Sequence, residues 1–200
     1  MPTDRPADTR DASYTERLNR LERVWWKRLV DVQAPYRWNL RRLHLGFTLD
    51  VGSGLGRNLV NLDGNGVGVD HNAESVRTSR ERGLTAYTPE EFHASEYAQP
   101  SRFDSLLLAH VAEHMSEDAA VGVLEEYIDY VRRGGRLVVI CPQERGYLSF
   151  ETHVRFLDFP DIQRLCEKVG ATVERSYSFP FPRPAGKLFP YNEFVVVARR

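Results

Sequence analysis

The chain reads as an α/β protein. A seven-stranded, mostly parallel sheet carries helices on both faces, the last strand runs antiparallel, and a helical cap precedes the sheet. Three observations predict this. From residue 47 onward, short apolar runs that read as buried strands alternate with amphipathic stretches that read as helices. A glycine cluster, "LDVGSGLGRN", closes the first of these strands. The last two strands follow each other without an intervening helix, and strands joined only by a loop are most simply antiparallel.

The elements follow in order. Residues 1–12, rich in Pro, Asp, Arg and Thr, are expected to form a flexible tail. Residues 13–46 are expected to form the helical cap. Leu18, Leu21, Trp25, Leu29 and Val32 recur at steps of three and four and line one face of a helix over 13–33. Pro35 breaks the pattern, and a second short helix or turn runs through Arg41 and Arg42. Residues 47–200 form the main part of a single domain, since 200 residues leave little room for a second. "FTLDVG" is the first strand, "RNLVNL" a short helix and "GVGVD" the second strand. "NAESVRTSRERG" is a helix capped by Asn72 and ended by Gly83. "LTAYT" and "FDSLLLAH" are the third and fourth strands. A helix is expected from Ser116 to the Gly134-Gly135 pair, then the strand "RLVVICP". "DFPDIQRLCEKVG" is a helix, "ATVERSYSF" a strand and "FVVVARR" the closing strand.

Composition removes several classes of function. The net charge of -1 gives no overall pull toward nucleic acid, and no RNA-binding domain is appended. Residues 1–45 hold ten basic against six acidic residues, which reads as a solvated helix face. No run of eighteen apolar residues could span a membrane, and the first residues lack the apolar core of a signal peptide. A cytoplasmic location is therefore expected. Cys141 and Cys166 sit in no metal-binding spacing and are expected to be reduced thiols.

The glycine turn, at the carboxyl end of the first strand, faces the ligand crevice of such a sheet. A dinucleotide turn wants G-x-G-x-x-G, but after Gly52 and Gly54 the third position is Arg57. A triphosphate loop wants Lys-Ser or Lys-Thr after its last glycine, and neither follows. Asp50, two residues before Gly52, would repel a pyrophosphate and welcome a cation. Asp70, at the end of the second strand, can accept both hydroxyls of a ribose. A ribose, a cationic end and no phosphate describe S-adenosylmethionine.

The same residues carry a family resemblance. "LDVGSGLGRN" with "GVGVD" resembles the D-x-G-x-G-x-G turn and second strand of the class I S-adenosylmethionine-dependent methyltransferases, with Asp50, Gly52, Gly54 and Gly56 matching by position. "FDSLLLAHVAEHM", "VRRGGRLVVICP" and "THVRFLDFPDIQRLCEKVGA" resemble later segments of the small-molecule, type 11-like branch of that family. The likeness spans roughly 47–198. It implies a Rossmann-like fold and S-adenosylmethionine as the cofactor. It implies that Asp70 binds ribose, that His71 flanks the adenine, and that Gly52 with the backbone near Ala109 and His110 holds the methionine end. Ser53 stands where the family often has cysteine and is counted with the cofactor turn. The third strand ends in "AYTPEEF", without the acid that often meets the adenine amine; Thr88, Glu90 and Glu91 are the candidates to replace it.

Six histidines raise the question of a base or a metal. His110 and His153 are candidate general bases, since imidazole titrates near neutral pH. His110-Val-Ala-Glu-His114 spells H-x-x-E-H, a zinc metallopeptidase pattern. That enzyme needs the motif inside a helix, whereas here it starts where a strand ends, so no metal is expected. His114 is expected at the mouth of the site. Acceptor contacts are expected from aromatic residues outside the cofactor half, above all Trp26, Trp38 and Tyr191. Arg37, Arg41 and Arg42 could meet an acidic group on the acceptor. The function expected is methyl transfer to an O or N atom of a small molecule, with a homodimer left open. The rivals are an NAD(P)-dependent oxidoreductase, a non-catalytic binding protein of the same fold and a zinc hydrolase.

Overall fold

The computed structural model describes residues 33–200. The tail over 1–12 and most of the helix over 13–33, with Trp25 and Trp26, lie outside the described residues.

The first described element is helix α1 (Ala34–Arg42), with Pro35 in its first turn, where the missing N–H costs nothing. The sheet follows as β1 (Thr48–Val51), β2 (Gly66–Val69), β3 (Ala86–Tyr87), β4 (Phe103–Ala109), β5 (Val131–Pro142), β6 (Thr172–Phe179) and β7 (Glu193–Arg199). The order across the sheet is β3-β2-β1-β4-β5-β7-β6. Strands β1 to β5 pair in parallel, and β7 runs antiparallel between β5 and β6. The chain builds outward from β1 to β3, then restarts at β4 on the other side of β1. That reversal opens a crevice beyond the carboxyl ends of β1 and β4.

Connecting helices are α2 (Arg57–Asn61), α3 (Ala73–Glu81), α4 (Pro89–His93), α5 (Glu117–Ile128), α6 (Glu144–Tyr147) and α7 (Phe159–Lys168). Their starts are specified by side chains. The Asn72 side chain accepts from the Glu74 and Ser75 N–H groups, Ser116 caps α5, and Thr88 and Asp158 form reciprocal capping boxes with Glu91 and Asp161.

Both faces of the sheet are covered, unequally. The larger core joins Leu49, Val67, Leu106, Leu108, Val139 and Phe194 of the strands to Phe92, Leu124, Ile162 and Leu165 of α4, α5 and α7. The smaller one packs Leu107, Val138, Ile140, Val195 and Val197 under Leu40, Leu43 and Leu45.

One boundary differs from expectation. Helix α5 ends at Ile128 rather than at the glycine pair, and β5 already begins at Val131. Val131 continues the apolar helix stripe but pairs with Phe103, and the register then shifts before Arg136 meets Ser105. Gly135 lies in the irregular stretch, where a Cβ would fall 2.7 Å from the Asp104 carbonyl. Periodicity alone does not reveal a strand that starts before its bulge.

Candidate active site

The turn after β1 is held by main-chain bonds. The N–H groups of Gly52 and Ser53 donate to the Val69 carbonyl at the end of β2, at 2.8 and 3.1 Å. Gly52 takes φ +72°, and a Cβ there would lie 2.2 Å from Val111 Cγ2. Gly54 faces open space, with nothing within 4 Å of where its Cβ would be. Gly56 caps α2 with φ +77° and presses close to Leu84. The turn thus leaves room at its centre and is tightly backed at both ends.

Two carboxylates flank it. Asp70 accepts from the Gly54 N–H at 2.7 Å and from the Asn72 N–H at 2.8 Å. Each oxygen keeps a lone pair for a further donor, such as a ribose hydroxyl. Asp50 is fully buried. Its Oδ1 accepts from the Asn58 side chain at 3.2 Å, and its Oδ2 has no partner. Burial pushes its carboxyl up to about 7, against the opposing bond from Asn58. A buried acid with one unanswered oxygen suits a cationic ligand group and would resist a phosphate. The residues therefore fit S-adenosylmethionine.

Other expected positions divide. His71 is exposed at the end of β2, beside Asp70. Ser53 is buried with its hydroxyl turned toward Gly68, so its side chain faces the fold and not the crevice. Thr88 and Glu91 are engaged in the α4 cap, and Glu91 also pairs with Arg80 at 2.6 Å, which leaves Glu90 as the exposed acid after β3. Ala109 ends β4 within the smaller core, and His110 follows with a left-handed backbone, φ +60°.

The β4 side of the crevice is made by side chains. His110 Nε2–H donates to Glu193 at 2.8 Å, and its Nδ1 lies 3.4 Å from Glu113. Desolvation disfavours the cation, but the two carboxylates outweigh it and raise the imidazole to about 9. At neutral pH His110 is protonated and accepts no proton, so the structure argues against its role as a general base. His153 is also no simple base. Its Nδ1–H donates to the Tyr147 carbonyl at 2.6 Å, and its Nε2 points at Glu113, 4.0 Å away. His114 is bonded through Nδ1–H to the Thr152 carbonyl at 3.0 Å. Cys141 and Cys166 are free and buried, as expected.

Sequence reasoning missed Glu193 as a neighbour of this site. Glu193 stands behind a buried network in which Gln143 donates to its carbonyl at 2.9 Å and Asn192 donates to Gln143 at 3.0 Å. The Tyr36 hydroxyl donates to the Tyr191 carbonyl at 2.6 Å. Tyr191 itself is 54% exposed, and Trp38, 57% exposed, stacks on Phe179 at the flank of the sheet. Arg41 and Arg42 are not at the crevice. Arg41 pairs with Asp63 at 2.6 Å, just ahead of β2, and Arg42 borders a hollow of about 330 Å³ shared with Leu43 and Arg136 at the amino edge of the sheet.

Comparison with known proteins agrees with this geometry. Residues 49–139 match the family described as "Methyltransferase domain". No curated protein matches the chain. Among solved structures, magnesium protoporphyrin IX methyltransferase from Synechocystis PCC 6803 with bound SAH is 14% identical, with a TM-score of 0.66 over 96% of this chain and 97% of that one. A possible histamine N-methyltransferase from Thermotoga maritima is 18% identical, with a TM-score of 0.65 over 93% and 97%. The putative methyltransferase complexed with the Trm112 activator in Haloferax volcanii is 16% identical, with a TM-score of 0.66 over 96% and 97%. Identities this low establish the shared fold alone. The family match adds a likeness to methyltransferase domains over the glycine turn and the strands from β1 into β5, a little under half of the chain.

Proposed function

We propose that the chain transfers a methyl group from S-adenosylmethionine to an oxygen or nitrogen of a small-molecule acceptor. The observation that carries the reading is the turn between Asp50 and Asp70. Its open centre at Gly54, its unanswered buried carboxylate oxygen and its ribose-facing acid suit this one cofactor. Asp50, Gly52, Gly54, Gly56 and Asp70 hold it, with His71 beside the adenine and the backbone of Ala109 and His110 near the methionine end. Ser53 contributes its main chain. His114 and Tyr191 face the acceptor.

A sulfonium already carries the driving force for transfer, so alignment of nucleophile, carbon and sulfur is the main task left to the protein. The imidazolium of His110 positions the β4 end through Glu113 and Glu193. The small-molecule acceptor is supported by the related folds whose names specify a porphyrin and histamine. Among the described residues no helix is long and apolar enough to cross a membrane, which accords with a cytoplasmic enzyme.

Calorimetric titration with S-adenosylhomocysteine tests the reading. Wild type should bind it at micromolar concentration, Asp70→Ala should lose at least about tenfold, roughly 1.4 kcal/mol or one charge-assisted hydrogen bond, and NADH should give no heat. Absent binding of S-adenosylhomocysteine by wild type would overturn it.

A further inference from the structure

The carboxylate of Glu113 is the least explained group in the molecule. It is fully buried, yet neither of its oxygens has a hydrogen-bond partner. An ionised carboxylate out of water ordinarily needs donors or a cation. His110 approaches only to 3.4 Å and spends its shorter bond on Glu193. What Glu113 does face is His114 and His153. One ligand atom from each of the three residues lies within 4.8 Å of the others.

The two imidazoles are oriented as metal ligands are. Each donates Nδ1–H to a main-chain carbonyl, His114 to Thr152 and His153 to Tyr147. A carbonyl only accepts, so the proton sits on Nδ1 and the lone pair on Nε2. An outer hydrogen bond of this kind fixes the tautomer and the ring orientation of metal-bound histidines. The backbone locks the group together. The Glu113 carbonyl accepts from the N–H groups of Val154 and Arg155 at 2.9 and 3.1 Å, which ties the turn after β4 to the segment carrying His153. The Tyr147 ring stacks on His153 at 5.3 Å and holds it in place.

We propose that Glu113, His114 and His153 form a binding site for a divalent transition-metal ion of the zinc class. Two imidazole nitrogens and one carboxylate oxygen suit Zn²⁺ or Co²⁺ and are a poor set for Mg²⁺, which prefers oxygen. Three protein ligands leave a position for water or another oxygen. The ligand atoms lie within 4.8 Å of one another and must close by about an ångström to reach a tetrahedral spacing, a movement open to the Glu113 carboxylate, which no hydrogen bond holds. This proposal departs from the sequence-based expectation of no metal. The H-x-x-E-H pattern is not used as in a peptidase: Glu113 and His114 ligate, His110 stays outside, and His153 comes from beyond β5. The site lies at the carboxyl ends of β4 and β5. Resting on the proposed methyltransferase function, its place there favours an acceptor that offers a hydroxyl oxygen.

The test uses the full, tag-free chain, stripped with a chelator and titrated with CoCl₂ and then ZnCl₂. Wild type should bind about one Co²⁺ with visible absorption of a low-coordinate site, displaced by Zn²⁺. Glu113→Gln and His153→Ala should each weaken binding by more than the roughly 10–100-fold that outer partners are worth. His93→Ala, a histidine engaged with Glu126 and Tyr130 elsewhere, should bind as wild type. Circular dichroism checks that each variant is folded, and His114→Gln replaces any that is not. No Co²⁺ or Zn²⁺ binding by wild type, or binding unchanged in the folded ligand variants, overturns the proposal. Metal binding without S-adenosylhomocysteine binding would uphold the site and remove only the methyltransferase reading and its hydroxyl acceptor.

Discussion

The two sides of the crevice are made of different material. On the β1–β2 side, the turn is shaped by glycines that lie within five residues of one another and by bonds made by its main chain, Gly52 and Ser53 to the Val69 carbonyl and Gly54 to Asp70. On the β4–β5 side, the shape comes from side chains brought together from far apart: His110 meets Glu193, His114 meets Thr152, and Tyr36 meets Tyr191. A ligand shared by many enzymes can be gripped by backbone, which any sequence with the right glycines supplies. A ligand particular to one enzyme needs particular side chains, and those come from wherever the fold delivers them.

The sharpest way to break this contrast is at the point where the two sides touch. Gly52 has a left-handed backbone and no room for a Cβ because Val111, after β4, occupies the space at 2.2 Å. Gly52→Ala should cost about 2–4 kcal/mol, from overpacking and left-handed strain together. It should also weaken S-adenosylhomocysteine binding by about tenfold or more in the protein that remains folded. Chemical denaturation and calorimetry read the two effects. Adding Val111→Ala should restore part of the stability by clearing the space. If it restored none, the close packing of the two sides would not be what requires glycine.

This contrast also explains what could be read in advance. The strands and most helices are legible, because periodicity and capping residues are local: Asn72 and Ser116 act where they stand. Asp50, Gly52, Gly54 and Asp70 were legible as a unit for the same reason. Glu193 was not, since nothing in "YNEFVVVARR" says which strand it will lie beside. Glu113 and His114 are visible as a motif, but the third partner, His153, comes 39 or more residues later and its role depends on the Tyr147 carbonyl. The end of α5 was misplaced because Val131 satisfies a helix stripe and a buried strand equally well.

Asp50 offers a test of intermediate size. Its folded pKa stands near 7, above the usual carboxylate value of about 3.9 in an unfolded chain. The sign follows from linkage. Below about pH 4 the carboxyl is neutral in both states and costs nothing. As pH rises toward 7 the unfolded state ionises first, so native stability falls, and above 7 the loss levels off. Asp50→Asn removes this slope. The apo variant should match wild type near pH 4, within the effect of losing one carboxyl, and exceed it by about 4 kcal/mol at pH 8. Its affinity for S-adenosylhomocysteine should fall about tenfold if the carboxylate serves the ligand's cationic end. A pH-independent difference in stability would show that the Asp50 carboxyl titrates in the fold as it does in the unfolded chain.

The smallest effect lies at the edge of the sheet away from the crevice. Arg42 sits 4.5 Å from the Trp38 ring centroid and 4.8 Å from that of Tyr177, and its Nε donates to Asn39 at 3.1 Å. These contacts hold α1 against β6, so Arg42→Ala should cost about 1 kcal/mol, the usual worth of a cation–π contact at a partly exposed site. Arg41 pairs with Asp63 in the open, where such a bridge adds little, so Arg41→Ala should change stability by less than about 1 kcal/mol. Both residues lie by the amino ends of the strands, whereas Asp70, His110 and Glu113 stand at the carboxyl ends. Neither variant should alter KM for the acceptor by more than about twofold, a change under roughly 0.5 kcal/mol. A larger rise in KM for an acidic acceptor would mean that the N-terminal segment carries the acceptor across the smaller core, and that the acceptor side reaches well beyond the β4–β5 edge.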